Sequence, residues 1–251
     1  MTTVLAAIDL NASGQPVLST AIALADLLDA TVTSLHVREQ ALSTPLKLAR
    51  AAGVELHEVS GAPVEQIVAA AQDPDVVALV LGQSGVHGTA YPAGHTTIDV
   101  ITRITKPVAV VPPHTQPPQQ INKILVPLEG ANESSHALDD TINLAHRRGL
   151  EVLVLHIHSP ATLPAFSDHE PHATLAWEQE FLTRHLTTPH DHITLLRRLG
   201  VPADDIVAVA RETGADLTVL AWSQSLASGH ARVVSETLMH SAIPVLLIPI
   251  P

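Results

Sequence analysis

Val4-Leu5-Ala6-Ala7-Ile8-Asp9 and Ile124-Leu125-Val126-Pro127-Leu128-Glu129 are one passage written twice, 120 residues apart. Each is a strand-type apolar run that ends in a carboxylate. Each is followed by a polar turn, Asn11-Ala12-Ser13-Gly14 in the first and Gly130-Ala131-Asn132-Glu133 in the second. A helical stretch comes next. In the first copy it is expected from Pro16 to about Leu28, with the proline near the first turn, where its missing N–H costs nothing. In the second copy it is expected to run to about Arg148. Second strands follow at Thr31 to Val37 and up to Ile157. Ala25 matches Ala145 and His36 matches His156 at the same spacing.

The correspondence resumes further on. Gly61-Ala62-Pro63 with Ile67 matches Gly200-Val201-Pro202 with Ile206, now 139 residues apart, and the strand ending at Gly82 matches the one ending at Ala221. Pro107-Val108-Ala109-Val110-Val111-Pro112 then matches Pro244-Val245-Leu246-Leu247-Ile248-Pro249 at a spacing of 137. Three in-register blocks separated by two indels describe one fold repeated. Each copy reads β-α-β-α-β-α-β-α-β, and right-handed crossovers turn that order into a doubly wound parallel sheet. The expected fold class is therefore α/β, with two five-stranded parallel-sheet domains of nucleotide-binding type in tandem. Pro112-Pro113-His114-Thr115-Gln116-Pro117-Pro118-Gln119-Gln120 can neither pair in a sheet nor continue a helix. The expected domains are 1–113 and 121–251, joined by a Pro/Gln linker at 114–120.

Composition agrees with buried parallel strands. Hydrophobic residues make up 46% of the 251 residues and aromatics only 2%, so the core is built from Ala, Val, Leu and Ile. A formal net charge of −12 opposes phosphate backbones and anionic membrane surfaces, which argues against nucleic-acid binding and membrane association. Cysteine is absent, which removes disulfides, thiolate metal sites and thiol catalysis. The first residues carry no basic stretch of the signal-peptide kind, and the longest apolar runs fall short of the ~18 residues of a membrane span. A cytoplasmic location is the expectation.

In an open parallel sheet, ligands bind beyond the carboxyl ends of the strands, where strand order reverses. Asp9 and Val37 end the first two strands of copy one. Its fourth strand opens into Gly82-Gln83-Ser84-Gly85-Val86-His87-Gly88, and Gly94-His95-Thr96-Thr97 leads into a helix expected from about Ile98. Glycines let backbone approach a phosphate, and a helix start offers free N–H donors. Thr96 and Thr97 then either cap that helix or bond a phosphate oxygen. The plainer alternative is that the glycines only turn the chain.

These features together resemble the universal stress protein family, over nearly the whole chain and twice. The resemblance rests on the strand–Asp–turn–helix start, Leu35-His36-Val37, the Gly61-Ala62-Pro63 turn, and a glycine loop before a closing Pro-bounded strand. In the ATP-binding branch the loop is Gly, two residues, Gly, nine residues, then Gly with Ser or Thr. Gly82 and Gly85 match the first pair. The next position is His95, with Gly94 one place early and Thr96 following, so the loop is one residue short. The resemblance implies that Asp9 and Val37 contact the adenosine end of a bound nucleotide. Gly82, Gly85, Gly88, Gly94, His95, Thr96 and Thr97 would then surround its ribose and phosphates. The implied cofactor is ATP or another adenine nucleotide, with Mg2+ the ion that accompanies a triphosphate. The family also implies that closing strands pair across a two-fold axis. Here Val108–Val111 and Val245–Ile248 would make an intramolecular pseudo-dimer, beside which a homodimer of chains and an unidentified protein partner are further expectations.

The second copy departs from the pattern. Glu129 replaces Asp9, Ala221 replaces Gly82, the loop holds no glycine before Gly229, and Trp222 stands where backbone would approach a ligand. This copy is expected to bind no nucleotide, with Arg232 left as a candidate for a different anion site. The sixteen histidines include His156, His158, His169 and His172 in or beside an insert spanning 156–192. His-x-His on a strand puts both rings on one face, a usable metal geometry. The absence of Cys and the proline-broken flank weigh against a metal. Trp177, Phe181 and Leu182 sit at helical spacing, which reads as core packing. Neither a Gly-x-Ser-x-Gly elbow nor a P-loop with its lysine occurs, so at most slow ATP hydrolysis is expected, and no enzyme. The leading expectation is a stress-response protein acting by ligand-dependent conformation or partner contact. The alternative is a nucleotide-free interaction scaffold of the same family.

Overall fold

The computed structural model describes residues 1–9, 14–38, 43–83, 93–116, 120–129, 132–158, 171–187, 193–225 and 231–250. The first half runs β1 (Thr3–Ala7), α1 (Gly14–Leu28), β2 (Thr31–Arg38), α2 (Ser43–Ala52), β3 (Glu55–Ser60), α3 (Pro63–Ala71), β4 (Val76–Gly82), α4 (His95–Ile101) and β5 (Val108–Val111). The second repeats it as β6 (Lys123–Pro127), α5 (Asn132–Arg147), β7 (Glu151–His158), α6 (Pro171–His185), β8 (Ile193–Leu199), α7 (Pro202–Thr213), β9 (Leu217–Trp222), α8 (Arg232–His240) and β10 (Val245–Pro249).

All ten strands join one sheet in the order β3-β2-β1-β4-β5-β10-β9-β6-β7-β8. Within each half every neighbouring pair is parallel. The two halves meet where β5 and β10 pair antiparallel, with Val108 opposite Leu247, Ala109 opposite Leu246 and Val110 opposite Val245. The central strands are apolar on both faces because helices cover both. Helices α1, α5 and α6 pack over one face, against Val4, Ala6, Val126 and Val154. Helices α3, α4, α7 and α8 pack over the other, against Leu5, Leu79, Leu81 and Leu247. The outer strands differ in kind. In β3, Glu55-Leu56-His57-Glu58-Val59-Ser60 leaves no residue buried, and β8 carries Arg197 and Arg198, so both free edges are polar and resist further pairing.

Among the described residues, two of the side-chain bonds that cross the seam are related by the repeat. Gln83 Nε2 donates to the Leu238 carbonyl at 2.9 Å, and Trp222 Nε1 donates to the Ile101 carbonyl at 3.2 Å. Gln83 and Trp222 are equivalent positions after β4 and in β9, and Ile101 and Leu238 are equivalent positions in α4 and α8. Each half therefore ties the end of its fourth strand to the other half's last helix.

Helix α6 builds a cluster that the first half lacks. Phe181 and Leu182 are buried, as their spacing suggested, and Phe181 lies 4.7 Å from both the His156 and the His185 rings. His156 meets His158 edge-on at 4.5 Å, Trp177 lies 5.3 Å from His158, and Arg197 sits 5.9 Å over the Trp177 ring. Burial holds the His185 pKa below its ordinary value, and the Arg184 guanidinium and His156 push the same way. An imidazole harder to protonate folded than unfolded stabilises the fold above its unfolded pKa of about 6.5, and that contribution is lost as pH falls below it. Acidification from neutrality is therefore expected to loosen α6 ahead of the other helices. Hydrogen exchange at 171–187 should accelerate first; equal acceleration across α1 and α5 would reject this account.

Candidate ligand cleft

Strand order in the first half reverses between β1 and β4, which puts a crevice beyond their carboxyl ends. The first half's described candidates gather at that end. Asp9 stands two residues past β1 and is half-buried. The chain before it is clipped to β2 twice: Ile8 N–H donates to the Leu35 carbonyl at 2.9 Å, and His36 Nδ1–H donates to the Ile8 carbonyl at 2.9 Å. The same pair recurs in the second half, with Leu128 N–H to the Leu155 carbonyl at 2.9 Å and His156 Nδ1–H to the Leu128 carbonyl at 2.8 Å. This positioning role of His36 and His156 was missed at the level of sequence, although their 120-residue match marks them as equivalent. Val37, half-buried, packs on the α3/α4 face of the sheet.

Gly82 closes β4, and Gln83 N–H continues the ladder to the Val111 carbonyl at 2.8 Å. Gly85 and Gly88 lie outside the described residues. The helix expected from Ile98 begins earlier, at His95, and this corrects the capping expectation for Thr96 and Thr97. Its N-cap is Gly94, at φ 75° and ψ 156°, with no side-chain cap bond. That backbone conformation is strained for any residue with a Cβ, so the cap needs a glycine at this place. His95 is exposed and Thr96 half-buried in the first turn. Thr97 is buried, and its hydroxyl donates to the Gly82 carbonyl at 2.9 Å. Thr97 thus ties the two ends of the glycine segment together.

The second half holds the equivalent cleft, with a volume of about 660 Å3. Its lining includes Glu129, Ile157, Ala221, Arg232, Val233 and Val234, which occupy the positions of Asp9, Val37, Gly82, His95, Thr96 and Thr97. One correction concerns Trp222. Its side chain is 2% exposed and reaches over the seam to Ile101, so it forms a wall and leaves the cleft open. Arg232 stands at the rim of the same cleft. Its Nε bonds Glu236 Oε1 at 2.8 Å in an exposed i,i+4 pair, and that contact raises its pKa. Arg232 thus lines the cleft with Glu236 as a partner for its charge.

The model of the universal stress protein family matches residues 41–112 and 120–249. The chain belongs to that family. Among curated proteins none matches it. Among solved structures it is similar to a universal stress protein from Archaeoglobus fulgidus, at 16% identity over 98% of this chain and 96% of that one, TM-score 0.67. It is likewise similar to a putative universal stress protein from Pseudomonas aeruginosa, at 15% identity over 99% and 93%, TM-score 0.67. At such identities the likeness is one of fold, and it spans both halves of this universal stress protein.

Two further expectations bear on the insert and the surface. Among the described residues no group of three or more His, Asp or Glu is placed to hold a metal ion. His169 lies outside the described residues. No helix among them is long and apolar enough to cross a membrane.

Proposed function

We propose that this chain is a stress-response protein that holds one adenine nucleotide, ATP or AMP, in the first-half cleft. It then acts through ligand-dependent conformation or contact with a protein partner. The observation that carries this reading is the second-half cleft, in which the equivalents of six first-half candidates line one cavity. By the repeat, Asp9, Val37, Gly82, His95, Thr96 and Thr97 converge in the same way. Asp9 and Val37 would hold the adenosine end. Backbone from Gly82, Gly85 and Gly88 to Gly94, with Thr96, would face the ribose and phosphates, and Mg2+ would accompany a triphosphate. The glycine at Gly94 agrees with this, because without a Cβ the backbone can pass close to a ligand. Without a lysine placed to offset charge on a leaving phosphate, hydrolysis would be slow at most. On this reading the domains are 1–113 and 121–251 about the 114–120 linker, the second carries no nucleotide, and the protein works in the cytoplasm. The nucleotide-free scaffold is the rival, and the one-residue shortening of the loop is what favours it.

Mass spectrometry of the nucleotide retained through purification separates the two. Titration by calorimetry should give one nucleotide per chain, and two would refute the division between halves. Gly85→Val, which adds a branched Cβ to the glycine segment, should lower affinity at least 100-fold in a chain whose circular dichroism is unchanged. Unchanged affinity in that folded variant removes this segment from the site.

A further inference from the structure

The second-half cleft keeps the place of a ligand site and has changed its chemistry. Its walls are aliphatic: Leu128, Leu155, Ile206, Leu220, Val234 and Ile250 all line it. The two hydroxyls that the first half carries at Thr96 and Thr97 are replaced by Val233 and Val234, and Gly82 by Ala221. Each change removes a hydrogen-bonding group or closes an approach for backbone, and each adds apolar surface. The polar side chains of the lining are Glu129, Ser134, His156, Ser223 and Arg232, and the His156 Nδ1–H is already given to the Leu128 carbonyl. The charge there is unfavourable to anions. Arg232 is matched by Glu236, Glu129 is exposed and carries its own negative charge, and the chain as a whole stands at −12.

We propose that this cleft is a binding site for a small, uncharged, apolar molecule with a hydrogen-bonding head. The volume of about 660 Å3 lies within the ~300–1,000 Å3 range of small-molecule pockets. Covering the aliphatic walls supplies the driving force, at roughly 25 cal/mol for each Å2 removed from water. The head group would meet Glu129 and the two serines, which accept or donate hydrogen bonds without demanding a charge. A nucleotide is disfavoured because its phosphates would meet Ala221, Val233 and Val234, where the first half offers a glycine and two hydroxyls. The inference stands apart from the proposed nucleotide site and does not depend on it.

The test uses the full chain and the neutral fluorophore N-phenyl-1-naphthylamine. Saturable binding of one fluorophore per chain is expected, with displacement by 1-decanol and at least tenfold weaker displacement by decanoate and by ATP. Val233→Glu, at a half-exposed wall position, should weaken fluorophore binding at least tenfold. Ala221→Leu, which fills the cleft from β9, should do the same and serves as the reading if the first variant does not fold. Failure of the fluorophore to saturate, equal displacement by decanoate or ATP, or unchanged affinity in a folded variant would each overturn the proposal.

Discussion

Replacing Trp222 with alanine is expected to destabilise the chain by about 3–5 kcal/mol, the range for deleting a large buried aromatic. The indole is 2% exposed and belongs to the core under α7 and α8. Its loss also leaves the Ile101 carbonyl without the 3.2 Å bond it accepts across the seam. Trp222→Phe keeps much of the volume and removes only the donor, so it should cost less, about 1–3 kcal/mol for a buried acceptor left unpaired. Urea unfolding of both variants gives the comparison. A loss below about 1 kcal/mol for Trp222→Ala would mean that the residue does not brace the seam, against the expectation for a buried aromatic.

Cutting the chain within 117–119 and producing the halves separately is expected to expose two apolar edges that seek each other. Val108, Ala109 and Val110 on one side, and Val245, Leu246 and Leu247 on the other, are all buried in the intact sheet. Unpaired strand edges with apolar faces are templates for association. Mixed halves should sediment as a one-to-one complex, and each half alone should self-associate. In the intact chain the linker keeps the partner at high effective concentration, which makes the pairing intramolecular. Two halves that remain monomeric and ignore each other in ultracentrifugation would contradict the seam as a stable interface.

The fold could be read in the sequence because it is written twice. The carboxylates that follow the first strands, Asp9 and Glu129, the Gly61-Ala62-Pro63 and Gly200-Val201-Pro202 segments, and the Pro-bounded closing strands are each visible as matched pairs. What pairs cannot give is direction. Trp222 is legible as a bulky aromatic at the position of Gln83, yet whether its ring enters the cleft or crosses the seam depends on the neighbouring half. The start of α4 was placed three residues late for a related reason. Capping is usually announced by Ser, Thr, Asp or Asn, and here a glycine with positive φ performs it, so Thr96 and Thr97 resemble a boundary while lying inside the first turn. The bond from His36 to the Ile8 carbonyl was hidden because a strand histidine has no period or motif to mark it. The cluster of His156, His158, His185, Trp177 and Phe181 needed tertiary packing to appear at all, since its members come from two elements.

The antiparallel meeting of β5 and β10 has a consequence for how the two clefts can evolve. In an assembly of identical chains, every substitution lands on both sides of the axis, so neither site can drift without its twin. Here the two copies are encoded separately and held together by one backbone. Position 97 can hold a threonine while its equivalent, 234, holds a valine, and position 82 a glycine while 221 holds an alanine. The shared sheet keeps the old geometry on both sides. Covalent linkage thus frees each site from the constraint of symmetry, so that a single chain is able to carry different side chains at the two equivalent clefts.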